Sequence, residues 1–407
     1  MKRMGVALAV FISFPLAAQV SPQADIEIVE STPIGTRLDN PDIRNAQEVW
    51  LQLIGSAKHS LDFEEYYVSN EPGKMLEPVL AAIYAAADRG VKVRLIADSR
   101  MYKTYPASID SLGEHRNIET RLINFGAIAG GIQHSKYFIV DRKEVFVGSQ
   151  NFDWRSLEHI HELGLRVNNR EVAEVFGDVF DLDWSLASDT AKGSKATLVQ
   201  HKVYPTPIRI SEGDGKVALI TPSYSPAGYI PDSLLWDEKA ITDLISKARR
   251  SLTLQFLSYS PRVWGGGTYT VIDDAIRSAA GRGVRVRMIV ADWEKGSASV
   301  ANLKTLSALP NIEVAFSDIP EWSGGYISFA RVEHCKYIVA DDSLFWLGTA
   351  NCEKSYFYGT RNLGIVGASP FLAGRLAGIF DKSWNSPYKE LISPNGTYKP
   401  REHGERK

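Results

Sequence analysis

The sequence predicts an α/β protein built from two pseudo-symmetric α/β/α sandwich repeats. Two stretches, 134–151 (HSKYFIVDRKEVFVGSQN) and 334–351 (HCKYIVADDSLFWLGTAN), share the pattern His-x-Lys-x4-Asp-x6-Gly-[Ser/Thr]-x-Asn, and their matched positions are 200 residues apart (334 − 134). Upstream, 87–98 (ADRGVKVRLIAD) matches 281–292 (GRGVRVRMIVAD) in the same order. A series of ordered matches indicates an internal duplication in which each copy has the size of one domain.

The secondary-structure elements of the two copies follow the same order. In the first copy we expect a strand at 61–68, a helix at 75–88, a strand at 91–97, two strands at 137–140 and 145–147, and a closing helix at 171–186. In the second copy we expect a strand at 252–257, a helix at 271–280, a strand at 284–291, and then a strand pair and a final helix. Helices that alternate with hydrophobic strands are typical of a sheet covered by helices on both faces.

The 407 residues divide into five predicted segments. Residues 1–18 read as a secretory signal peptide, because a basic start precedes an apolar run of about 14 residues, shorter than the ~20 that span a bilayer. We therefore expect an exported protein, periplasmic or secreted, with no stable membrane anchor; an N-terminal anchor is the alternative. The other segments are a first repeat at 26–190, a linker at 191–215, a second repeat at 216–390 and a polar tail at 391–407.

Charge and cysteine content exclude two classes of protein. The formal net charge of −2 falls to about −4 if Lys2 and Arg3 leave with the signal peptide (−2 − 2), which is not the basic footprint of a protein that coats long nucleic acid. Only Cys335 and Cys352 occur, so a disulfide-stapled scaffold is excluded. We expect Cys335 to be a buried free thiol, although the sequence leaves a single bridge open.

The side chains that recur in both motifs suit the chemistry of a phosphate diester. They are His134, Lys136, Gly148, Ser149 and Asn151 in the first copy, and His334, Lys336, Gly348, Thr349 and Asn351 in the second. The lysines, asparagines and hydroxyls supply donors for anionic oxygens, and the glycines let a ligand approach the backbone. Two histidines can divide acid–base work, since one can be neutral while the other is protonated. No cluster has metal-ligand spacing, so no cofactor is expected.

The two motif aspartates are expected to be structural. Asp141 and Asp341 each end a strand at a charged turn. Aspartate at a turn commonly bonds the local backbone, and we favour that role over direct chemistry.

The doubled motif resembles that of the phospholipase D superfamily. Further segments resemble its lysosomal phospholipase D-like branch: 28–33 (IVESTP), 151–164 (NFDWRSLEHIHELG), 271–287 (VIDDAIRSAAGRGVRVR) and 383–388 (SWNSPY). Members of that branch act as 5′ exonucleases on single-stranded nucleic acid, and lipid transphosphatidylation has also been ascribed to them. The resemblance implies one metal-free active site at the interface of the repeats, where a histidine becomes covalently phosphorylated.

The resemblance also implies roles for individual residues. It assigns the nucleophile to His134 and the general acid to His334. It assigns phosphate binding to the matched lysines and asparagines (Lys136, Lys336, Asn151 and Asn351). Glu162 lies 28 residues after His134, where related enzymes carry a carboxylate that orients the motif histidine. The second copy has Asn362 at that position, so we expect its histidine to be oriented by another group.

The segments before the two motifs differ in a way that concerns the substrate. Trp322, Tyr326 and Phe329 precede the second motif, whereas the glycine-rich stretch 126–134 (GAIAGGIQH) precedes the first. Aromatic faces stack bases, line an acyl or choline pocket, or fill a core; Trp322 and Tyr326 are candidate substrate-binding residues.

The predicted partner is a phosphodiester substrate, either single-stranded nucleic acid or a phospholipid headgroup. A phosphate-binding protein without catalytic activity is a third hypothesis. Because one chain carries both motifs, a monomer suffices to build the site.

Overall fold

The structure, a computed structural model, describes residues 24–191, 201–263, 265–296 and 298–405. The predicted signal peptide at 1–18 lies outside these residues. The α/β class and the duplicated architecture are confirmed, since each half of the chain contains one large sheet against which helices pack.

The first half begins at the first described strand and ends with a long helix. Its elements are β1 (Ile26–Ser31), β2 (Arg44–Asn45), α1 (Ala46–Ser56), β3 (Ser60–Glu65), β4 (Val68–Ser69), α2 (Leu76–Asp88), β5 (Lys92–Asp98), α3 (Ala107–Gly113), β6 (Ile118–Ile123), α4 (Phe125–Ile128), β7 (Lys136–Val140), β8 (Glu144–Gly148), β9 (Phe152–Asp153), α5 (Trp154–Glu158), β10 (Glu162–Asn168) and α6 (Arg170–Ala191). A 3₁₀ turn, Met101–Lys103, follows β5.

The second half repeats this order. Its elements are β11 (Ile208–Gly213), β12 (Lys216–Ser225), α7 (Asp237–Lys247), β13 (Ser251–Phe256), β14 (Tyr259–Ser260), α8 (Val271–Gly281), β15 (Arg285–Ala291), α9 (Val300–Ser307), β16 (Ile312–Ser317), β17 (Tyr337–Ala340), β18 (Leu344–Gly348), β19 (Cys352–Glu353), α10 (Lys354–Tyr358), β20 (Asn362–Ala368), α11 (Pro370–Trp384) and β21 (Lys389–Leu391). Two 3₁₀ turns, Ser233–Leu235 and Asp292–Gly296, complete it.

The two large sheets share a common strand order. The first runs β2-β1-β10-β8-β7-β3-β5-β6, and the second runs β11-β12-β20-β18-β17-β13-β15-β16-β21. In each sheet, the first strand of the motif hairpin (β7 or β17) pairs antiparallel with β3 or β13, and the opposite edge of β3 or β13 pairs parallel with β5 or β15. The motif hairpins therefore lie in the middle of their sheets.

Central strands are apolar on both faces because both faces are covered. On the outer face of the first sheet, Trp50 of α1 packs with Phe63 and Phe138. The inner faces of both sheets share one core with α6 and α11, to which Tyr137 and Tyr337 both belong. Since this core joins the two halves, it brings the starts of β7 and β17 together.

The predicted linker and tail contain ordered elements, although their polar composition does not predict them. β11 lies inside the predicted linker and pairs antiparallel with β12, so the second sheet begins before residue 216. At the other end, β21 pairs with β16, and Arg401 forms ion pairs with Asp292 (2.9 Å) and Asp318 (3.0 Å). The described part of the tail therefore folds back onto the second half.

Two further expectations concern cysteine and membranes. Cys335 and Cys352 are both buried free thiols. Within the described ranges, none of the helices combines the length and the apolar character that crossing a membrane requires.

Candidate active site

The two motif histidines lie at the interface between the halves. Each is in the loop just before its motif strand. The His134 N–H donates to the carbonyl of Arg361 (3.0 Å), and the His334 N–H donates to the carbonyl of His161 (2.9 Å). Each histidine is thus held by the backbone of the opposite half.

The side chains that orient the histidines also cross between the halves. His334 Nδ1 bonds the Glu162 carboxylate, and His134 Nδ1 bonds the carboxamide oxygen of Asn362 at 3.1 Å. The expectation that the first-copy carboxylate serves the first-copy histidine is therefore wrong. β10 and β20 each begin at the interface, where their first side chain faces the motif of the other half. The carboxylate partner belongs to His334, and the neutral amide partner belongs to His134.

The hydrogen bonds around Asn362 fix the proton position of His134. The amide Nδ2 donates to the carbonyls of Tyr356 (3.0 Å) and Thr360 (3.2 Å), while Oδ1 accepts from the Thr349 hydroxyl (3.0 Å). Because the amide nitrogen faces carbonyls, the oxygen faces His134 and accepts its Nδ1–H. The lone pair of His134 is then on Nε2.

Lys136 and Lys336 are buried in the centre of the site. Each is 1% exposed, and each Nζ donates to the backbone carbonyl of its own motif histidine at 2.6 Å. Burial lowers the pKa of Lys336 to about 7, and burial together with the charge of Lys336 lowers the pKa of Lys136 well below its usual range. The two ammonium groups repel each other, and an anion bound between them would relieve that repulsion.

Burial also governs the titration of the histidines. It lowers the pKa of His134 and of His334 well below the usual range, and both lysines add to the shift. Burial raises the pKa of Glu162 well above its usual range, although Lys336 works against this. Burial therefore favours the uncharged form of both partners in the Glu162–His334 pair.

Asn151 and Asn351 complete the site with buried carboxamides. Asn351 Nδ2 donates to the Tyr356 hydroxyl (3.0 Å), and the ring of Tyr356 contacts His134 edge-on at 5.1 Å. In the part of the chain that the structure describes, neither carboxamide oxygen has a hydrogen-bond partner. Buried polar groups without a protein partner mark a place where a ligand or water binds.

These six side chains are the doubled His-Lys-Asn set of the sequence motif, brought into one site. A family model described as a cardiolipin synthase, phospholipase D-like domain matches residues 50–184 and 241–384, more than half of the chain. The chain belongs to the phospholipase D-like family.

Other comparisons agree with this family. Phospholipase D Z of Dictyostelium discoideum is 29% identical over 392 residues, covering 89% of this chain and 90% of that protein. The 5′-3′ exonuclease PLD3 of Rattus norvegicus is 30% identical over 403 residues, covering 90% of this chain and 80% of that protein. Among solved structures, phosphatidylserine synthase of Haemophilus influenzae has a TM-score of 0.61 at 14% identity and covers 85% of both chains, which shows a shared fold.

In this phospholipase D-like site the two motif hydroxyls serve the fold. Ser149 Oγ accepts the Leu163 N–H (3.1 Å), and Thr349 Oγ1 accepts the Leu363 N–H (3.2 Å) while donating to Asn362. Both side chains are fully buried. The prediction that these hydroxyls bind substrate is not supported, because protein groups already occupy them.

The motif glycines allow strands to approach each other. A Cβ at Gly148 would lie 2.7 Å from the Cα of Gly164, and a Cβ at Gly348 would lie 2.9 Å from the Cα of Gly364. Real Cβ atoms do not come this close, so any larger residue would separate β8 from β10 or β18 from β20. The close contact predicted for a ligand is made by a neighbouring strand.

The motif aspartates have structural contacts, as predicted, but with a distant segment rather than the local turn. The Asp141 carboxylate accepts three successive backbone N–H groups of 58–60 at 2.7 to 2.9 Å. Asp341 accepts those of 249–251 at 2.7 to 2.9 Å. Although burial raises the pKa of both carboxyls, these hydrogen bonds give a net lowering. Each aspartate thus ties the motif hairpin to the start of β3 or β13.

The aromatic residues before the second motif pack against protein. The Trp322 ring lies 5.0 Å from the ring of His159, and the Tyr326 hydroxyl donates to the carbonyl of Gly404. His159 is fully buried, and burial lowers its pKa to about 4. Its ring is therefore uncharged at pH 7 and packs as part of the protein interior. The prediction that Trp322 and Tyr326 bind substrate is not supported.

This packing joins the segment before the second motif to the first half and to the tail. The Arg331 N–H donates to the carbonyl of His159 (2.8 Å), and the Arg155 guanidinium bonds the carbonyl of Ser328 (3.4 Å). The Phe329 N–H donates to the carbonyl of His403 in the tail. We call the region formed by His159, 320–331 and the tail residues that contact it the closed side.

Sequence reasoning missed the groups that support His134. The rings of Tyr66 and Tyr356 each lie 5.1 Å from the His134 ring. Behind the site, Arg361 forms a fully buried ion pair with Asp183 across the two halves (2.6 Å). Of these residues, only Arg361 could have been noticed in the sequence, because it directly precedes Asn362, the residue that orients His134.

Proposed function

We propose that this chain is a metal-independent phosphodiesterase that works through a covalent phosphohistidine. The observation that carries the proposal is the meeting of two His-Lys-Asn sets in one buried site, where the two histidines have different orienting partners. Two buried lysine side chains suit an anionic phosphate, and their charges would repel a metal cation.

His134 is the proposed nucleophile. Its Nδ1–H is bonded to Asn362, so Nε2 carries the lone pair that attacks phosphorus. As the N–P bond forms, the bond from phosphorus to the leaving oxygen breaks, and His334 Nε2 gives that oxygen its proton. Water then attacks phosphorus, its proton passes to His334, and the N–P bond breaks to release the phosphate product.

His334 is the proposed general acid because Glu162 stabilises its protonated ring. In the ligand-free site, burial and the two lysines lower the pKa of His334. A phosphodiester anion offsets the charge of Lys136 and Lys336, so its binding raises that pKa again. Substrate binding thereby favours protonation of His334, which supplies the proton that the leaving group needs.

Single-stranded nucleic acid, cleaved from an end, is the proposed substrate. The rat relative is named a 5′-3′ exonuclease, which supports this class. The Dictyostelium relative is named a phospholipase D, so a phospholipid headgroup is the alternative that the experiment includes.

The test gives the purified protein a 5′-hydroxyl single-stranded oligonucleotide and phosphatidylcholine vesicles in parallel, each with and without EDTA. We expect stepwise release of mononucleotides that EDTA does not inhibit. Choline release without nucleotide release would contradict the nucleic-acid substrate, and loss of activity in EDTA would contradict the metal-independent mechanism.

We also propose that residues 1–18 direct export of the protein. N-terminal sequencing of protein recovered from the periplasm or medium should begin near Gln19. An intact N-terminus on a cell-associated protein would contradict this.

A further inference from the structure

We propose that a groove on the His134 side of the cleft, lined by Arg100, Arg262 and Lys354, binds the backbone phosphates of a single strand beyond the scissile phosphate. This inference rests on the proposed nuclease function and adds where the strand lies. We call this groove the open side.

The open side lies beside the catalytic groups. It is a cavity of about 560 Å³ whose lining includes Tyr356. Tyr356 contacts His134 through its ring and Asn351 through its hydroxyl (3.0 Å). Tyr356 therefore borders both the groove and the catalytic groups, so the groove is the adjacent space for a chain attached to a phosphate at His134.

Glycine keeps the floor of the groove low. Gly131 and Gly359 both line it, and a Cβ at Gly131 would overlap the carbonyl of Gly359. The two backbones therefore touch, and no side chain rises from either position into the cavity.

Three cationic side chains from different segments surround this floor. Arg100 follows β5, Arg262 follows β14, and Lys354 begins α10; all three are exposed. Among the residues that the structure describes, none of the three has an ion-pair partner. Unpaired cations that converge on a cavity are the usual means of holding a phosphate backbone.

The one acidic residue of the lining, Glu353, is bonded to a protein group. Burial raises the pKa of Glu353, and its carboxyl group accepts a hydrogen bond from Ser258 Oγ (2.5 Å). Nearby, Tyr358 is 43% exposed in the same lining, and Lys354 Nζ lies 5.6 Å from the centroid of its ring, so a base that stacks on this ring would take the place of the lysine.

The equivalent positions in the other half show that the fold does not require these cations. When β5 is aligned with β15, β3 with β13, and the two motifs with each other, the counterparts of Arg100, Arg262 and Lys354 are Trp293, Glu71 and Trp154. Two of these counterparts are aromatic and one is acidic. Because the same scaffold is stable with these residues, the cations on the open side are explained by binding rather than by folding.

The experiment compares two substrates of the same chemistry but different length. The dinucleotide dTpT contains only the scissile phosphate, whereas the octamer dT8 carries further phosphates. We expect the variant R100Q/R262Q/K354Q to lower the ratio of kcat/KM for dT8 to kcat/KM for dTpT by about 10-fold or more. The slope of log kcat/KM for dT8 against log salt concentration should become less negative by about 2. Each single-strand phosphate contact contributes about 0.7 to this slope, and the variant removes three cations.

A matched control separates local binding from general charge. The variant R209Q/K247Q/R285Q removes the same net charge at three exposed positions that do not line the groove, so its ratio should equal that of the parent protein. Melting temperatures of both triple variants show whether they fold.

The outcomes distinguish the groove from the proposed function. If the parent protein cleaves both substrates and the groove variant keeps the same ratio, the groove proposal is overturned while the nuclease function stands. An equal loss on dTpT and dT8 would also overturn it, since the cations would then act at the scissile phosphate. If the parent protein cleaves neither oligonucleotide but hydrolyses phospholipid vesicles, the nuclease function fails and the groove proposal fails with it.

Discussion

On the open side Gly131 packs against Gly359, whereas on the closed side the equivalent pair is Arg331 and His159. Aromatic rings and the tail then fill the closed side further, while the open side remains a cavity. The catalytic His-Lys-Asn sets, by contrast, are the same in both halves. The two halves thus share their motif residues but differ in the groups beside them.

The largest expected effect tests whether the two histidines are chemically equal. His134→Ala and His334→Ala should each lower kcat on an oligonucleotide by about 10⁴-fold or more. A p-nitrophenyl phosphodiester should separate them, because its leaving group departs without a proton. His334→Ala should retain the initial release of p-nitrophenol, and His134→Ala should lose it.

The exposed His201 provides a control for this pair, since His201→Ala should behave as the parent protein. A p-nitrophenol burst that survives in His134→Ala and vanishes in His334→Ala would reverse the assigned roles.

The next effect concerns the unequal partners of the histidines. Glu162→Gln should lower kcat by about 10²-fold, because an amide stabilises the protonated ring of His334 less than a carboxylate does. Asn362→Asp should raise the pKa of His134, so that the acid limb of the pH profile of kcat/KM moves to higher pH. The measurement is the pH profile of each variant, and an acid limb that does not move in Asn362→Asp would argue against His134 as the neutral nucleophile.

A smaller effect should follow from filling the open side. Ser355 is exposed and lines the groove, so Ser355→Trp places a large side chain in it. We expect kcat/KM for dT8 to fall by about 10-fold, as expected when a base loses its stacking site, with little change for dTpT. Ser278→Trp, at an exposed position of α8, is the control. Equal kinetics for the two tryptophan variants would show that the strand does not use the groove.

The smallest effect is one of stability. The pKa of Lys336 in the folded protein is about 7, below its ordinary value of about 10.4, so between these pH values the unfolded chain binds more protons. The free energy of unfolding should therefore rise as pH rises from 7 to 10. Lys336→Met should reduce that slope by up to about 1.4 kcal/mol per pH unit, although the variant is inactive. Urea unfolding at several pH values measures it, and identical slopes would show that Lys336 titrates normally.

Sequence alone could predict the fold, and which His, Lys and Asn residues meet in one site, because both patterns occur twice. His134, Lys136 and Asn151 recur at matched spacing, and folding does not require these residue types. The crossing of Glu162 to His334 could not be predicted, since it depends on how the two halves dock rather than on any spacing within one of them.

Other roles were misread for a common reason. The motif glycines and hydroxyls were interpreted as ligand contacts, yet Gly148 faces Gly164 and Ser149 accepts the N–H of Leu163. These contacts join strands that are adjacent in the sheet but separated in sequence. Likewise, Trp322 looked available to a ligand only because the histidine that it packs against, His159, lies in the other half.

The hydrogen bonds that join each histidine to the opposite half affect the roles that the two histidines can take. In a symmetric homodimer of one half, both orienting positions would carry the same residue, and either histidine could attack in a given turnover. A single fused chain can hold Glu162 at one position and Asn362 at the other. If His134 attacks and His334 protonates, as we propose, joining two copies end to end gives each histidine one fixed role, and the sequence then sets the direction in which a substrate is cut.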